Sequence, residues 1–125
     1  MFHSPLNVAV SKKRKFILNL NNYRNTHFYS LNAAKKVYKS TVMPQLVGRV
    51  LQTPICVQYV YYPKTKRKTD LGNVLSIHQK FFEDALTELG CIADDDYSLI
   101  PQSIYSFGAV DPLNPRVEIT IVETI

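Results

Sequence analysis

Between residues 71 and 89, Leu71, Val74, Leu75, Phe82, Ala85, Leu86 and Leu89 recur at three- and four-residue intervals. That spacing aligns side chains along one face of an α-helix. Gly90 follows the last apolar position and is placed to end the helix at C′. Just upstream, residues 55–62 form an almost unbroken β-branched and aromatic run after Pro54. Such a run suits a central strand covered on both faces better than an edge strand. A buried strand feeding a long amphipathic helix restricts the chain to folds that layer helices on a sheet. With 125 residues, 46% of them hydrophobic, the sequence encodes one domain with a core of its own. At that size dimerisation is an obvious way to bury more.

The other elements are shorter. Phe16, Leu18 and Leu20 alternate with Ile17 and Asn19 and predict a first strand, followed by a polar loop over 19–25 in which Tyr23 and Arg24 suit base stacking or phosphate contact as well as an ordinary turn. From Ser30 as N-cap, Leu31, Ala34, Tyr38 and Val42 fall at helical spacing with Lys35, Lys36 and Lys39 off that face. Pro44 is expected to end or kink that helix. Residues 103–110 and 116–123 read as a β-hairpin turned by Asp111, Pro112 and Asn114, with Val117, Ile119 and Ile121 on the buried side. No apolar run approaches the roughly 20 residues of a membrane span, and the N-terminal charges follow the apolar stretch, unlike a signal peptide. A cytoplasmic protein is expected. Cys56 and Cys91 are too few and too scattered for a zinc site and read as core thiols.

Charge is divided sharply along the chain. The first 69 residues hold thirteen Lys or Arg and no acid, while residues 70–125 hold all ten acids and only Lys80 and Arg116. The halves thus carry +13 and −8, within a net charge of +5. The first half suits a polyanion, and the second offers carboxylates to a divalent cation. Solvated surface charge is the bland alternative, and it is the weaker one because ten acids scattered at random would rarely leave the first 69 positions empty.

The two halves meet in residues 63–96. Lys64, Lys66, Arg67 and Lys68 form a charged loop, Asp70 opens the helix, and Asp94, Asp95 and Asp96 follow it. At about 100° per residue, Asn73, Lys80 and Asp84 share one line away from the apolar stripe. Each has a structural alternative: an N-cap for Asp70, an i,i+4 ion pair for Lys80 and Asp84, and an Asx turn for the aspartate triplet. His78 lies inside the stripe, where a packed, hydrogen-bonded side chain outweighs a metal ligand. There is no glycine-rich phosphate loop and no Ser-His-Asp or Cys-His constellation.

With Asp70 and Asn73, then Lys80, then Asp84, Ala85 and Leu86, then Asp94 and Asp95, this stretch resembles the RusA family of Holliday-junction resolvases, many of them encoded by phages and prophages. That family has an Asp-x-Asp-Asn motif opening a helix, a lysine four residues before Asp-Ala-Leu, and a following Asp-Asp pair. The Asn21 to Arg24 segment is similar to the loop after the family's first strand. Two departures stand out. Gly72 occupies the place of the second motif aspartate, and about one extra helical turn separates Asn73 from Lys80.

The resemblance implies an α+β fold, a small mostly antiparallel or mixed sheet with two helices, and a homodimer that nicks two strands of a four-way junction in the cytoplasm of a bacterial host. It implies Mg²⁺, or Mn²⁺, held by Asp70 and Asp95 with Asp94 or Asp84, and Lys80 as an electrostatic stabiliser. Lys12, Lys13, Arg14, Lys15, Arg24, Lys64, Lys66, Arg67, Lys68 and Asn73 would hold the DNA, mostly by its backbone. Gly72 keeps open a binding protein of the same fold that has lost catalysis. An RNA-binding module would account for the charge but not for the aligned Asn73, Lys80 and Asp84.

Overall fold

The computed structural model describes residues 1–123. In chain order the elements are β1 (Phe2–Ser4), β2 (Asn7–Ala9), β3 (Lys15–Ile17), α1 (Leu20–Asn25), α2 (Phe28–Leu46), β4 (Ile55–Tyr62), α3 (Leu71–Glu88), β5 (Gln102–Phe107) and β6 (Arg116–Glu123). This is a small α+β fold with a mixed four-stranded sheet ordered β1-β6-β4-β5 and a separate β2-β3 hairpin.

β4 is interior to its sheet, as its composition predicts. It pairs parallel to β5, Val57 beside Ser103 and Tyr59 beside Tyr105, and antiparallel to β6, Tyr59 beside Ile119. The parallel pair needs a crossover, and α3 supplies it. Only one face of the sheet is fully covered. Val57, Tyr59, Val117 and Ile119 are completely buried beneath the helices, whereas Gln58, Val60 and Tyr62 on the other face are half-exposed. Leu75, Phe82 and Leu86 of α3 are likewise fully buried, each contributing roughly 1.5–3 kcal/mol by area.

The terminal strands are not a hairpin with each other. All eight residues of β4 pair with β6 and six of them, Cys56 to Tyr61, also pair with β5, so β5 and β6 are separated by β4 itself. The segment joining them crosses the end of β4, tied there by Gly108 N–H to the Tyr61 carbonyl at 2.9 Å and Asp111 N–H to the Pro63 carbonyl at 2.8 Å. A Cβ on Gly108 would stand 2.5 Å from the Tyr62 ring. That ring is covered on another side by the Arg116 guanidinium at 4.1 Å, itself bound to Asp111 and Glu118.

Three helices form rather than two. The expected loop after the first strand is α1, started by Asn19, whose side chain accepts from Asn22 N–H at 2.7 Å. The first strand is correspondingly short and ends at Ile17. α2 begins at Phe28 with His27 as its N-cap, so Ser30 lies inside it. Pro44 is tolerated in the last turn, because the carbonyl it leaves unbonded belongs to exposed Ser40.

His78 is fully buried and clamps three elements together. Ser4 Oγ lies 2.6 Å from both His78 Nδ1 and the Tyr38 hydroxyl, joining β1, α3 and α2, while His78 Nε2 has no hydrogen-bond partner among the described residues. Cys56 and Cys91 are free and buried.

α3 ends as its sequence predicts. Gly90 has φ +78°, Gly90 N–H donates to Thr87 and Cys91 N–H to Leu86, the paired bonds of a Schellman cap. Gly90→Ala is therefore expected to lose about 1–2 kcal/mol in denaturant unfolding, from the left-handed backbone penalty, and Gly90→Asn to lose less.

Candidate nucleic-acid interface

The expected site residues divide between the two ends of α3. At the N-terminal end, the loop over 64–69 is fully exposed and carries Lys64, Lys66, Arg67 and Lys68 to the helix start. Asp70 is the N-cap residue by position, yet its side chain makes no capping hydrogen bond. The capping alternative therefore does not hold, and the carboxylate is exposed.

Two clefts flank this helix end. One, of about 300 Å³, is lined by Asn19, Asn21, Arg67, Thr69 and Asn73 over an apolar floor that includes Tyr61. It joins the NNYR segment to the basic loop, although some 45 residues separate them in sequence. The other, of about 330 Å³, lies on the β5 side, with Lys66, Arg67 and Lys68 around Tyr61, Leu71 and Phe107. Polar amides and guanidinium groups with no acid in the lining suit phosphate oxygens.

The remaining basic groups are exposed and spread over separate elements. Lys12, Lys13 and Arg14 form the tip of the β2-β3 hairpin, with Lys15 opening β3, and Ser11 accepts from Arg14 N–H at 3.2 Å to shape the turn. Arg24 projects from α1. Exposed cations of this kind bind DNA backbones without reading sequence.

Toward the other end of α3, Lys80 makes no ion pair with Asp84 among the described residues. Its Nζ lies 5.8 Å from the Tyr23 ring centre, with Lys35 Nζ at 5.9 Å, so Tyr23 holds two cations by its π face. The Asp84 carboxyl is pushed up by burial and drawn back down by Lys80 and Lys35, with Asp95 and Glu88 opposing them. Lys35, Lys36 and Lys39 line a cleft against Asp84 and Glu88, and Lys39 bonds Glu88 at 2.8 Å.

The aspartate triplet is partly a turn. Asp94 Oδ1 accepts from Asp95 N–H, and Asp96 Oδ1 accepts from both the amide and hydroxyl of Ser98, which hold its carboxyl below the usual range. Of the three carboxyls only that of Asp95 accepts no bond in this turn among the described residues, and its charge reaches Glu83 and Asp84.

The expected ligand set for Mg²⁺ is therefore not assembled in one chain. Fourteen residues of helix, about 21 Å of rise, separate Asp70 from Asp84. Among the described residues no three His, Cys, Asp or Glu side chains are grouped to hold a metal ion. Asp70 stands apart from Asp84, whereas Asp84 and Asp95 are near enough for their charges to interact.

Sequence reasoning passed over Glu83. It is 5% exposed, accepts from the Tyr59 hydroxyl at 2.7 Å, and is pushed up to about 7, chiefly by burial. Gln79 hydrogen-bonds Glu83, accepts from Tyr105 and donates to Ser103, extending the network from β4 through α3 to β5. The available signal was an acid on the shoulder of an apolar stripe, four residues after a glutamine.

Comparison of the sequence with known family models and with characterised proteins finds no match.

Because the Glu83 carboxyl is raised from 4.5 to about 7 in the fold, the native state holds its proton more tightly than the unfolded chain. Its contribution to stability is complete below pH about 4.5 and is lost as pH rises through about 7. Glu83→Gln retains an acceptor for Tyr59 and is expected to flatten the fall in melting temperature across that window. An unchanged slope would refute the assignment.

Proposed function

We propose that the protein binds branched DNA through its backbone and nicks it as a metal-dependent endodeoxyribonuclease of the RusA kind, acting as a two-fold dimer. The observation that carries this reading is the head of α3, where an uncapped Asp70 stands beside one cation-lined cleft and one lined by asparagines and Arg67. Lys66, Arg67 and Lys68 would neutralise phosphates, Asn19 and Asn73 would orient them, and the helix dipole would add positive potential. The hairpin tip at 12–14 and Arg24 would extend the grip along an arm.

The distance from Asp70 to Asp84 and Asp95 favours a two-copy arrangement, in which Asp70 of one copy meets the acidic end of α3 from the other. A junction with near two-fold symmetry presents matching phosphates to such a pair.

Gly72 and the dispersed carboxylates favour a second reading, a protein that binds branched DNA without cutting it. Position 72 itself is open, since an added Cβ would meet nothing within 4 Å. Gly72→Asp is thus expected to fold normally, to gain roughly 0.3–1 kcal/mol from the helix dipole, and to raise the rate of Mg²⁺-dependent nicking.

A labelled synthetic four-way junction, with a linear duplex beside it, tests both readings in the presence and absence of Mg²⁺ or Mn²⁺. Paired metal-dependent nicks that vanish in Asp70→Asn, with binding intact, are expected. Mixing Asp70→Asn with Asp95→Asn should recover part of the activity when the two carboxylates come from different copies. Tight binding without nicks would leave the binding-only protein, and equal affinity for junction and duplex would sink both.

A further inference from the structure

We propose that the cleft between the 64–69 loop and β5 is a pocket for an unpaired nucleobase of the bound DNA strand. The inference rests on the branched-DNA reading and adds the subsite that would make it selective for branch points.

Its position follows from the fold. β4 and β5 are parallel and α3 crosses between them, so the carboxyl ends of both strands and the N-terminus of α3 lie at one end of the sheet. Ligands of parallel βαβ units bind in the crevice at that end. Here the crevice measures about 330 Å³, at the small end of the roughly 300–1,000 Å³ of small-molecule sites.

Its lining is specific to a base carrying phosphate. Tyr61, Leu71, Phe107 and Val110 make an apolar interior, two of them with ring faces, and Lys66, Arg67 and Lys68 stand at its rim with no acid among the lining residues. Phe107 is 57% exposed although it ends a strand whose Tyr105, two residues earlier on the same face, is packed against Tyr59. A ring left open at the mouth of a cation-rimmed cleft offers a stacking surface and a phosphate clamp together, the combination that holds single-stranded nucleic acid. Simple phosphate binding has no use for the apolar interior, and the cation-dense rim argues against an uncharged apolar ligand.

Duplex DNA would have to unstack and unpair a base to fill the pocket, which costs a few kcal/mol, and that cost is least where pairing is already interrupted. At the point of strand exchange one stacking partner is missing. The pocket would therefore turn local unstacking into preference for a junction over linear DNA.

The test measures equilibrium binding without divalent metal, using a four-way junction, the same junction made abasic in turn at each nucleotide flanking the branch, and a duplex. One abasic position is expected to weaken binding by roughly 5- to 150-fold, the range of one base–aromatic stack. Phe107→Ala should weaken the intact junction by a similar factor and add nothing on that abasic junction, while Phe107→Trp retains affinity. Lys68→Ala should weaken every DNA alike and reduce the salt dependence. Junction preference that survives both the abasic series and Phe107→Ala would overturn the pocket and leave the branched-DNA reading standing. Equal losses on intact and abasic junctions, with an altered oligomeric state by sedimentation, would overturn it in favour of a protein contact at Phe107. If wild-type protein shows no junction preference, the branched-DNA reading fails first and the pocket with it.

Discussion

The parallel pairing of β4 with β5 dictates the layout of most of this molecule. Two adjacent strands running the same way cannot be joined by a turn, so the chain must travel back along the sheet, and α3 makes that journey with Leu75, Phe82 and Leu86 packed onto the sheet beneath. The return path brings the basic loop, Asp70, Tyr61 and Phe107 to one end and sends Asp94 and Asp95 toward the other. The cleft beside β5 and the distance from Asp70 to Asp84 are consequences of that one connection.

Around this unit, polar groups inside the fold are used as ties between elements. Ser4, Tyr38 and His78 join β1, α2 and α3, while Tyr59, Glu83 and Gln79 join β4 to α3, with Tyr105 and Ser103 reaching β5. Buried groups of this sort are strongly favourable when bonded and expensive when orphaned. Glu83 is the more consequential of the two sets, because its proton is held near neutral pH and its neighbours Asp84 and Asp95 lie at the acidic end of α3. A change in its charge is felt by the sheet and by the acidic turn together.

The proposed function draws its support from the head of α3 and finds less at its foot. Asp70 is exposed, and half-buried Asn73 lines a cleft with Arg67. Lys80 is held by Tyr23 rather than by Asp84, and the aspartate triplet spends two of its three carboxylates on its own turn. A single chain therefore offers one exposed carboxylate at the basic end of α3, and under the proposed function a partner copy and position 72 would decide between cutting DNA and only holding it.

Local features were legible in the residues. The period of α3, its Gly90 terminus, the interior position of β4, the packed His78 and the exposed basic runs all follow from side-chain chemistry acting over a few residues. So does the inward face of β6, with Val117 and Ile119 buried. What the sequence did not decide was which strands would be neighbours. Residues 103–123 carry every local sign of a hairpin, yet β4 stands between the two strands and pairs with both. Asn19, Asn21 and Arg67 share a cleft, Glu83 meets Tyr59, and Asp70 lies a helix length from the acidic turn for the same reason: contacts between distant residues are settled by packing. Sequence spacing determined the elements and their faces, and only the tertiary arrangement determined which charged side chains stand together.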